Sequence, residues 1–447
     1  MEHKNMADTA LQILALNAFN PMASAQLSRD VAELVTRRQR SFGQASVLFY
    51  EEPLHVVAGI GTELITIDGT PYLDLYNNVP SVGHCHPRVV SAVRAQVGRL
   101  NIHSRYLFDV VHDYAEQLLA TFPAPLTNVL FTCTGSESND LALRLARLVT
   151  GGLGVVVTKT AYHGNTTAVT EVSPSSYKKG APPAHVRTVP PPHRAYYGDD
   201  IAGGFARAVG AAITAMANDG IRFAALLVDS IFSSDGVFAD PPGFLAEAAA
   251  LVRAKGGLLI ADEVQPGFGR TGAGHWGFAR HGVVPDIVTM GKPMGNGMPI
   301  GGVVTRPDLL ADFAESFGYF NTFGGNPVAS AAALAVLNVI KDEDLIGNAN
   351  RVGNHMMASL RDLSARHPAI GEVRGAGLYV GVDIVNRGTG RPDPAETTRL
   401  INRLRERHIL IGAAGPFGAT LKIRPPLCLS VGEVDRFIDA LDDSAAA

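Results

Sequence analysis

The sequence predicts an α/β protein, with a large, mainly parallel sheet layered between helices and a smaller α+β unit after it. Three observations carry this. Short runs rich in Val, Ile and Leu recur between residues 128 and 305, separated by helical stretches. Upstream, GTELITIDGTPYLDLY alternates around Asp68-Gly69, the pattern of a hairpin. After Pro327 the texture changes to long helical patterns with a strand pair. The chain therefore divides into a helix-and-hairpin segment over 1–75 that belongs with the small domain, a large domain over 76–326, and a small C-terminal domain over 327–447.

Taken in order, SRDVAELVTRRQR from Ser28 has a helix-capping serine ahead of a polar amphipathic pattern. The strand-like runs are NVLFT at Asn128, GVVVT at Gly154, AALLV at Ala224, GLLIAD at Gly257, DIVTM at Asp286 and IGGVVT at Ile300. They lack polar alternation, as strands buried on both faces do, and the helices between them read as crossovers. The proline cluster around Pro182–Pro192 reads as a surface loop. VASAAALAVLNVI from Val328 leads into a polar helix through Arg361, and VRGAGLYVGVDIV reads as a strand pair. A helix at ETTRLINRLRERH leads to the strand TLKIRPPLCLS. Ser430 and Glu433 then form a capping-box pattern before a last helix.

Composition excludes several functions. The 447 residues include 46% hydrophobic and 18% charged residues, the balance of a chain that buries a large core. Net charge is −4, which argues against nucleic-acid binding. No apolar run reaches the ~18 residues of a membrane helix, and MEHKNMADTA lacks a signal core. The three cysteines, Cys85, Cys133 and Cys428, fit a reducing cytosol rather than a disulfide framework. A cytoplasmic protein is expected. His84, Cys85 and His86 lie close together but lack a companion ligand motif, so no metal site is expected.

Chemistry concentrates at strand ends, where open α/β sheets bind ligands. Asp262 closes the run GLLIAD; alone, a strand-end aspartate favours a helix cap, with metal ligation as another use. Lys292 follows DIVTM in a loop with Gly291, Gly295 and Gly297; most loop lysines are solvated, but glycines permit close approach of backbone to a ligand. Gly135 and Ser136 open a helix after NVLFT, as an anion site or an ordinary cap. Tyr162 and His163 follow GVVVT, as core residues or as a ring-stacking pair. Together these supply a phosphate cradle, a stacking aromatic, a carboxylate and a lysine. That inventory matches pyridoxal phosphate, which needs a Schiff-base lysine and a carboxylate to keep its pyridine nitrogen protonated.

From about Ser46 to the last helix, the chain resembles the class III, omega-type aminotransferases of pyridoxal-phosphate fold type I. The resemblance implies that Lys292 binds the cofactor covalently and moves protons, and that Asp262 pairs with its ring nitrogen. Gln265 would lie near the phenolic oxygen, Tyr162 and Val264 on the two ring faces, and His163 beside the cofactor. Gly135 and Ser136 would hold the phosphate. Thr322, in YFNTFGGNP, would reach the phosphate of a neighbouring subunit, which implies a homodimer with shared sites. Arg424, in LKIRPPL, matches a position that often binds a substrate carboxylate.

Two departures narrow the branch. Family members usually carry Glu-Pro where this chain has Asp229-Ser230, and the segment LYNNVPSV is shorter than in typical aminotransferases. Both departures resemble the ethanolamine-phosphate and phosphohydroxylysine phospho-lyases. So do NNVPSVGHCHP, LNIHSRYLFD, VPDIVTMGKPMGNG and GNANRVGN. The resemblance implies a lyase that expels phosphate from a small phosphorylated amine, phosphoethanolamine foremost. An omega-aminotransferase is the alternative. Candidate phosphate ligands are Asn77, Asn78, Arg105, Lys422 and Arg424, because a dianion calls for cations and donors. Surface ion pairing is as good an account of Arg105 and Lys422.

Overall fold

The run GVVVT shows how this sequence builds layers: Val155 and Val157 pack into one apolar cluster and Val156 into another. Neighbouring strands repeat the alternation, with Ala225 and Leu227 on the first side and Leu226 and Val228 on the second. Both faces of the sheet are therefore covered, which is why its strands read as continuous apolar runs. Leu141, Leu145, Leu309 and Phe313, from the helices Gly135–Thr150 and Pro307–Ser316, cover the first face. The second face is covered mainly by Ile201–Asn218 and Leu245–Ala254. The computed structural model describes residues 17–22, 27–43 and 45–446. The reading of MEHKNMADTA as lacking a signal core lies outside them.

Strands β1 (Val56–Ile60), β2 (Glu63–Thr66) and β3 (Pro71–Asp74) come first, with the expected turn at Asp68-Gly69 between β2 and β3. The large sheet follows: β4 (Asn128–Thr132), β5 (Gly154–Thr158), β6 (Val186–Val189), β7 (Phe223–Asp229), β8 (Leu258–Asp262), β9 (Ile287–Met290) and β10 (Gly301–Thr305). Its order is β4-β10-β9-β8-β7-β5-β6. The C-terminal strands are β11 (Ile370–Ala376), β12 (Tyr379–Ile384), β13 (Ile409–Leu410), β14 (Gly412–Ala414) and β15 (Thr420–Ile423).

Three sequence expectations need correction. β10 runs antiparallel to both neighbours, because the stretch 291–300 is shorter than the dozen or so residues a parallel crossover takes. The proline-rich stretch is not all loop: β6 pairs parallel with β5 at the sheet edge, its prolines falling outside the paired residues. Ser28 stands at the N-cap of Arg29–Phe42, but its side chain makes no capping bond. The second cap forms as expected. Ser430 N–H donates to Glu433 Oε2 at 2.7 Å, and Glu433 N–H returns to Ser430 Oγ at 3.3 Å.

The two ends of the chain are interleaved. β13 joins the hairpin sheet beside β3, in the order β1-β2-β3-β13. The other small sheet has the order β11-β12-β15-β14. Arg424 N–H donates to Leu75 O at 2.8 Å and Leu427 N–H to Ser81 O at 2.7 Å, so the C-terminal segment holds residues 75–81 in place. Among the described residues, no helix is long and apolar enough to cross a membrane.

Candidate active site

The site is assembled where strands end. Gly135, Tyr162, Asp262 and Lys292 follow or close β4, β5, β8 and β9. β4 keeps the direction of the parallel strands because two antiparallel pairings separate it from β9. All four residues consequently emerge on the side of the sheet where the carboxyl ends of these strands lie.

Asp262 is buried and held from three directions. Its Oδ1 accepts Val264 N–H at 3.0 Å. Its Oδ2 accepts Asn139 Nδ2–H at 3.0 Å and lies 2.7 Å from His163 Nδ1. A carboxylate offers about four acceptor positions, so room remains for one more donor. Asn139 is itself fixed, because Thr289 Oγ1 donates to its Oδ1 at 2.7 Å and its Nδ2 also reaches His163 O at 2.8 Å. The sequence reading missed Asn139. Its signal was an amide one turn before Ala142 and Leu143, on the buried face of an otherwise apolar helix.

Lys292 sits half-buried at the start of a tight turn, Lys292–Gly295. That turn is clamped to the loop after Asn78. Asn296 Oδ1 accepts Val82 N–H at 3.0 Å, its Nδ2 donates to Gly83 O at 2.8 Å, and Ser81 Oγ donates to Pro293 O at 3.2 Å. Burial, and then the nearby Arg424 charge, push the Lys292 ammonium from its ordinary value down to about 8. Its neutral, nucleophilic form is therefore accessible near physiological pH.

Lys422 and Arg424 alternate on and just beyond β15, so they share a face. Both are buried. Arg424 Nη1 donates to Asn78 Oδ1 at 3.2 Å and Gln265 Oε1 at 3.0 Å, and its guanidinium lies 4.4 Å from the Tyr76 ring centre. Asn78 Nδ2 donates to the same Gln265 oxygen at 2.7 Å, and Tyr379 Oη reaches it at 3.4 Å. Arg424 Nε is buried without a partner among the described residues. Lys422 lies 5.8 Å from the Tyr379 ring centre. Burial, then the Arg424 charge, hold its ammonium well below the ordinary lysine value. Asn77 is turned away, its Nδ2 donating to Asp74 Oδ2 at 3.0 Å.

The remaining sequence candidates fall in two places. Gly135 and Ser136 form the first turn of Gly135–Thr150, where Thr134 Oγ1 caps Glu137 N–H at 3.1 Å. Tyr162 is half-buried beside this turn's neighbour, His163. Arg105 and Thr322 are exposed, whereas Arg424 is buried. Arg105 stacks on Phe320, 3.8 Å from its ring centre, so within one chain it does not join the buried cations. Within one chain Arg105 thus belongs to the exposed strip that carries Phe320.

The residues fit pyridoxal phosphate in their chemistry: a buried carboxylate with an acceptor position open, a lysine, and a helix start closely packed at glycines. A Cβ on Gly135 would stand 2.7 Å from Val264 Cγ2, so the helix N-terminus and the Val264 side chain meet only because position 135 is bare. A Cβ on Gly164, at φ +142°, would stand 2.4 Å from Ser136 Oγ. The free N–H groups of that helix start are what a phosphate uses. Among the described residues, no cluster of His, Cys, Asp and Glu could hold a metal ion.

Comparison with known proteins identifies the family. The sequence pattern of the family described as Aminotransferase class-III matches residues 50–444. A Drosophila melanogaster protein named alanine–glyoxylate aminotransferase 2-like is 38% identical, over 94% of this chain and 87% of its own. The Caenorhabditis elegans ethanolamine-phosphate phospho-lyase homolog 1 is 37% identical, over 93% of each chain. The solved structure of a phospholyase from Arthrobacter in complex with phosphoethanolamine is 43% identical, with a TM-score of 0.90, and covers 93% of this chain and 99% of its own. The chain belongs to the class III aminotransferase family of enzymes, with pyridoxal-phosphate fold type I and pyridoxal phosphate as cofactor.

Proposed function

We propose that this enzyme is a phospho-lyase that converts a small phosphorylated amine, phosphoethanolamine foremost, to an aldehyde, phosphate and ammonia. One observation carries the reading. Arg424 and Lys422 share a buried face near Lys292, and Arg424 is held by two neutral amides, so its charge is free for an anion. The relatives named for phospho-lyase activity support the same choice.

When bound, pyridoxal phosphate supplies a protonated ring that accepts the electron pair left on the carbon bearing the substrate nitrogen. Asp262 would keep the ring nitrogen protonated, with His163 and Asn139 orienting its carboxylate. Lys292 Nζ would remove the proton from that carbon. Arg424 and Lys422, with Asn78, would bind the substrate phosphate and stabilise it as it leaves from the adjacent carbon. Water then completes the balance: phosphoethanolamine and water give acetaldehyde, ammonia and phosphate. Gly135 and Ser136 would hold the cofactor phosphate, Tyr162 and Val264 its ring faces, and Gln265 its phenolic side.

Thr322 would act across a homodimer interface, a reading supported by the exposed apolar surface of Phe317, Phe320, Phe323, Tyr106 and Leu107 around it. Arg105 would then face the partner's site. Asn77 would shape the loop rather than touch substrate. The functional division into segments 1–75, 76–326 and 327–447 belongs to the same proposal. Incubating the cofactor-loaded enzyme with phosphoethanolamine, without a keto acid, tests the reading. Equal amounts of phosphate, ammonia and acetaldehyde are expected. Amine transfer to a keto acid with no phosphate released would favour the aminotransferase reading, to which the alanine–glyoxylate relatives point.

A further inference from the structure

Arg270 is 2% exposed and among the largest fully buried side chains. Among the described residues, the titratable groups that act on it are Tyr379, Arg424 and Cys428, none of them a carboxylate. A buried charge without a counter-charge is destabilising unless its donors are well used. Here they meet two backbone carbonyls. One Nη1 donates to Leu378 O at 3.3 Å and to Pro425 O. The main chain closes the same clasp, because Leu378 N–H donates to Arg270 O at 3.0 Å. Burial pushes the guanidinium down to about 9, which leaves it charged at neutral pH.

The two carbonyls belong to the neighbours of two site residues. Leu378 precedes Tyr379 and Pro425 follows Arg424. Both of those side chains converge on Gln265 Oε1, Tyr379 from 3.4 Å and Arg424 from 3.0 Å. β12 and β15, which carry them in, are themselves paired at Val380 and Ile423.

We infer that Arg270 is a positioning residue for anion binding: it clasps the backbone beside Tyr379 and Arg424 and so aims both side chains at Gln265 and the substrate's anionic group. A single Nη1 with two N–H bonds can serve both carbonyls at once. A lysine brings a point charge on a flexible stem and holds them less firmly. Releasing the clasp loosens the anion subsite while Lys292, in the turn after β9, and Asp262, at the end of β8, keep their own supports.

The inference rests on the reading that Arg424 faces substrate, and the test separates the two. Cofactor-loaded wild type, Arg270→Met and Arg270→Lys are compared with phosphoethanolamine as the varied substrate. In Arg270→Met, KM is expected to rise about tenfold, the scale of one hydrogen bond to a charged group, with a smaller change in kcat and an unchanged visible cofactor band. Arg270→Lys should fall between. A wild-type KM in Arg270→Met, or a fall in kcat alone, overturns the inference. If Arg270→Met is insoluble, Arg270→Lys decides on the same terms. If the wild type releases no phosphate, the proposed function fails instead. The KM comparison is then made with L-alanine and glyoxylate, where the carboxylate is the anionic group, and the same outcomes support or overturn the inference.

Discussion

Asp229 and Asp262 stand side by side at the last register position of β7 and β8, yet their carboxylates do different work. Asp229 closes its own turn, accepting Ile231 N–H and Ser233 N–H, each at 3.0 Å. Asp262 is presented outward by His163, Asn139 and Val264 N–H. Burial raises the Asp229 carboxyl above its ordinary range, and the neighbouring Asp262 adds to the rise. A short side chain at 229 thus keeps one carboxylate folded back from the buried cations.

Asp229→Glu adds a methylene and is expected to extend that carboxylate toward Lys422 and Lys292, whose charges it already feels. It would then compete with an anionic substrate. KM for phosphoethanolamine should rise by about tenfold or more, on the scale of a charge-assisted contact. Inhibition by inorganic phosphate should weaken in parallel; unaltered phosphate inhibition would sink the idea.

Lys292→Ala should abolish turnover and remove the visible band of the lysine-bound cofactor. In the wild-type apoenzyme, the lowered Lys292 pKa sets a pH dependence with a definite sign. The amine is protonated and unreactive below about pH 8 and free above it. Recombination with pyridoxal phosphate should therefore accelerate with pH through a midpoint near 8. A rate that keeps climbing toward the ordinary lysine range would contradict this.

Asp262→Asn should leave the fold intact and slow turnover by at least 10²-fold, the lower range for loss of a positioned acid–base partner. An amide cannot hold a ring nitrogen protonated. Stopped-flow measurement of proton abstraction, with cofactor occupancy checked, reads this directly. Near-normal rates would reassign Asp262.

Arg424→Ala removes the charge that Asn78 and Gln265 present. Hydrogen bonds to charged groups contribute about 1.5–3 kcal/mol, so affinity for the anionic substrate should drop on the order of tenfold to a hundredfold. The cofactor spectrum should not change. Titration of the cofactor-loaded variant with phosphoethanolamine gives the answer, and wild-type affinity would place the phosphate elsewhere.

Thr322→Ala is expected to speed cofactor loss several-fold on dilution, through loss of one hydroxyl-to-phosphate bond across the interface. Size-exclusion chromatography at working concentration should show a dimer. A fully active monomer would defeat the shared-site reading.

What the sequence revealed, and what it hid, follow one physical division. The strand-end positions of Asp262 and Lys292 were legible because β8 and β9 read as short buried runs, and the two stood out only as a set with Gly135 and Tyr162. Ser430 and Glu433 were legible because a capping box is local. Asn139, Arg270 and Tyr379 were not, because their partners lie far along the chain: Asn139 meets Asp262 and Thr289, and Arg270 meets Leu378 and Pro425. The antiparallel course of β10 was hidden in an apolar run that looks the same in either direction. Arg105 was named beside Arg424 for its charge, and its stacking on Phe320, more than 200 residues along the chain, was not legible.

The pairing of β3 with β13 governs when the enzyme can first work during its own synthesis. Leu73 lies opposite Ile409, and Leu75 O waits for Arg424 N–H. Ribosomes extend a chain at roughly 5–20 residues per second, N-terminus first. The hairpin therefore emerges long before its fourth strand exists, and β3 presents an unpaired edge throughout that interval. The loop bearing Asn78 can make its contacts to Gln265 and Asn296 before then, but lacks those from Arg424 and Leu427 until the C-terminal segment is made. A nascent chain can close its large sheet early, yet it cannot complete the buried anion subsite until Lys422 and Arg424 have been made.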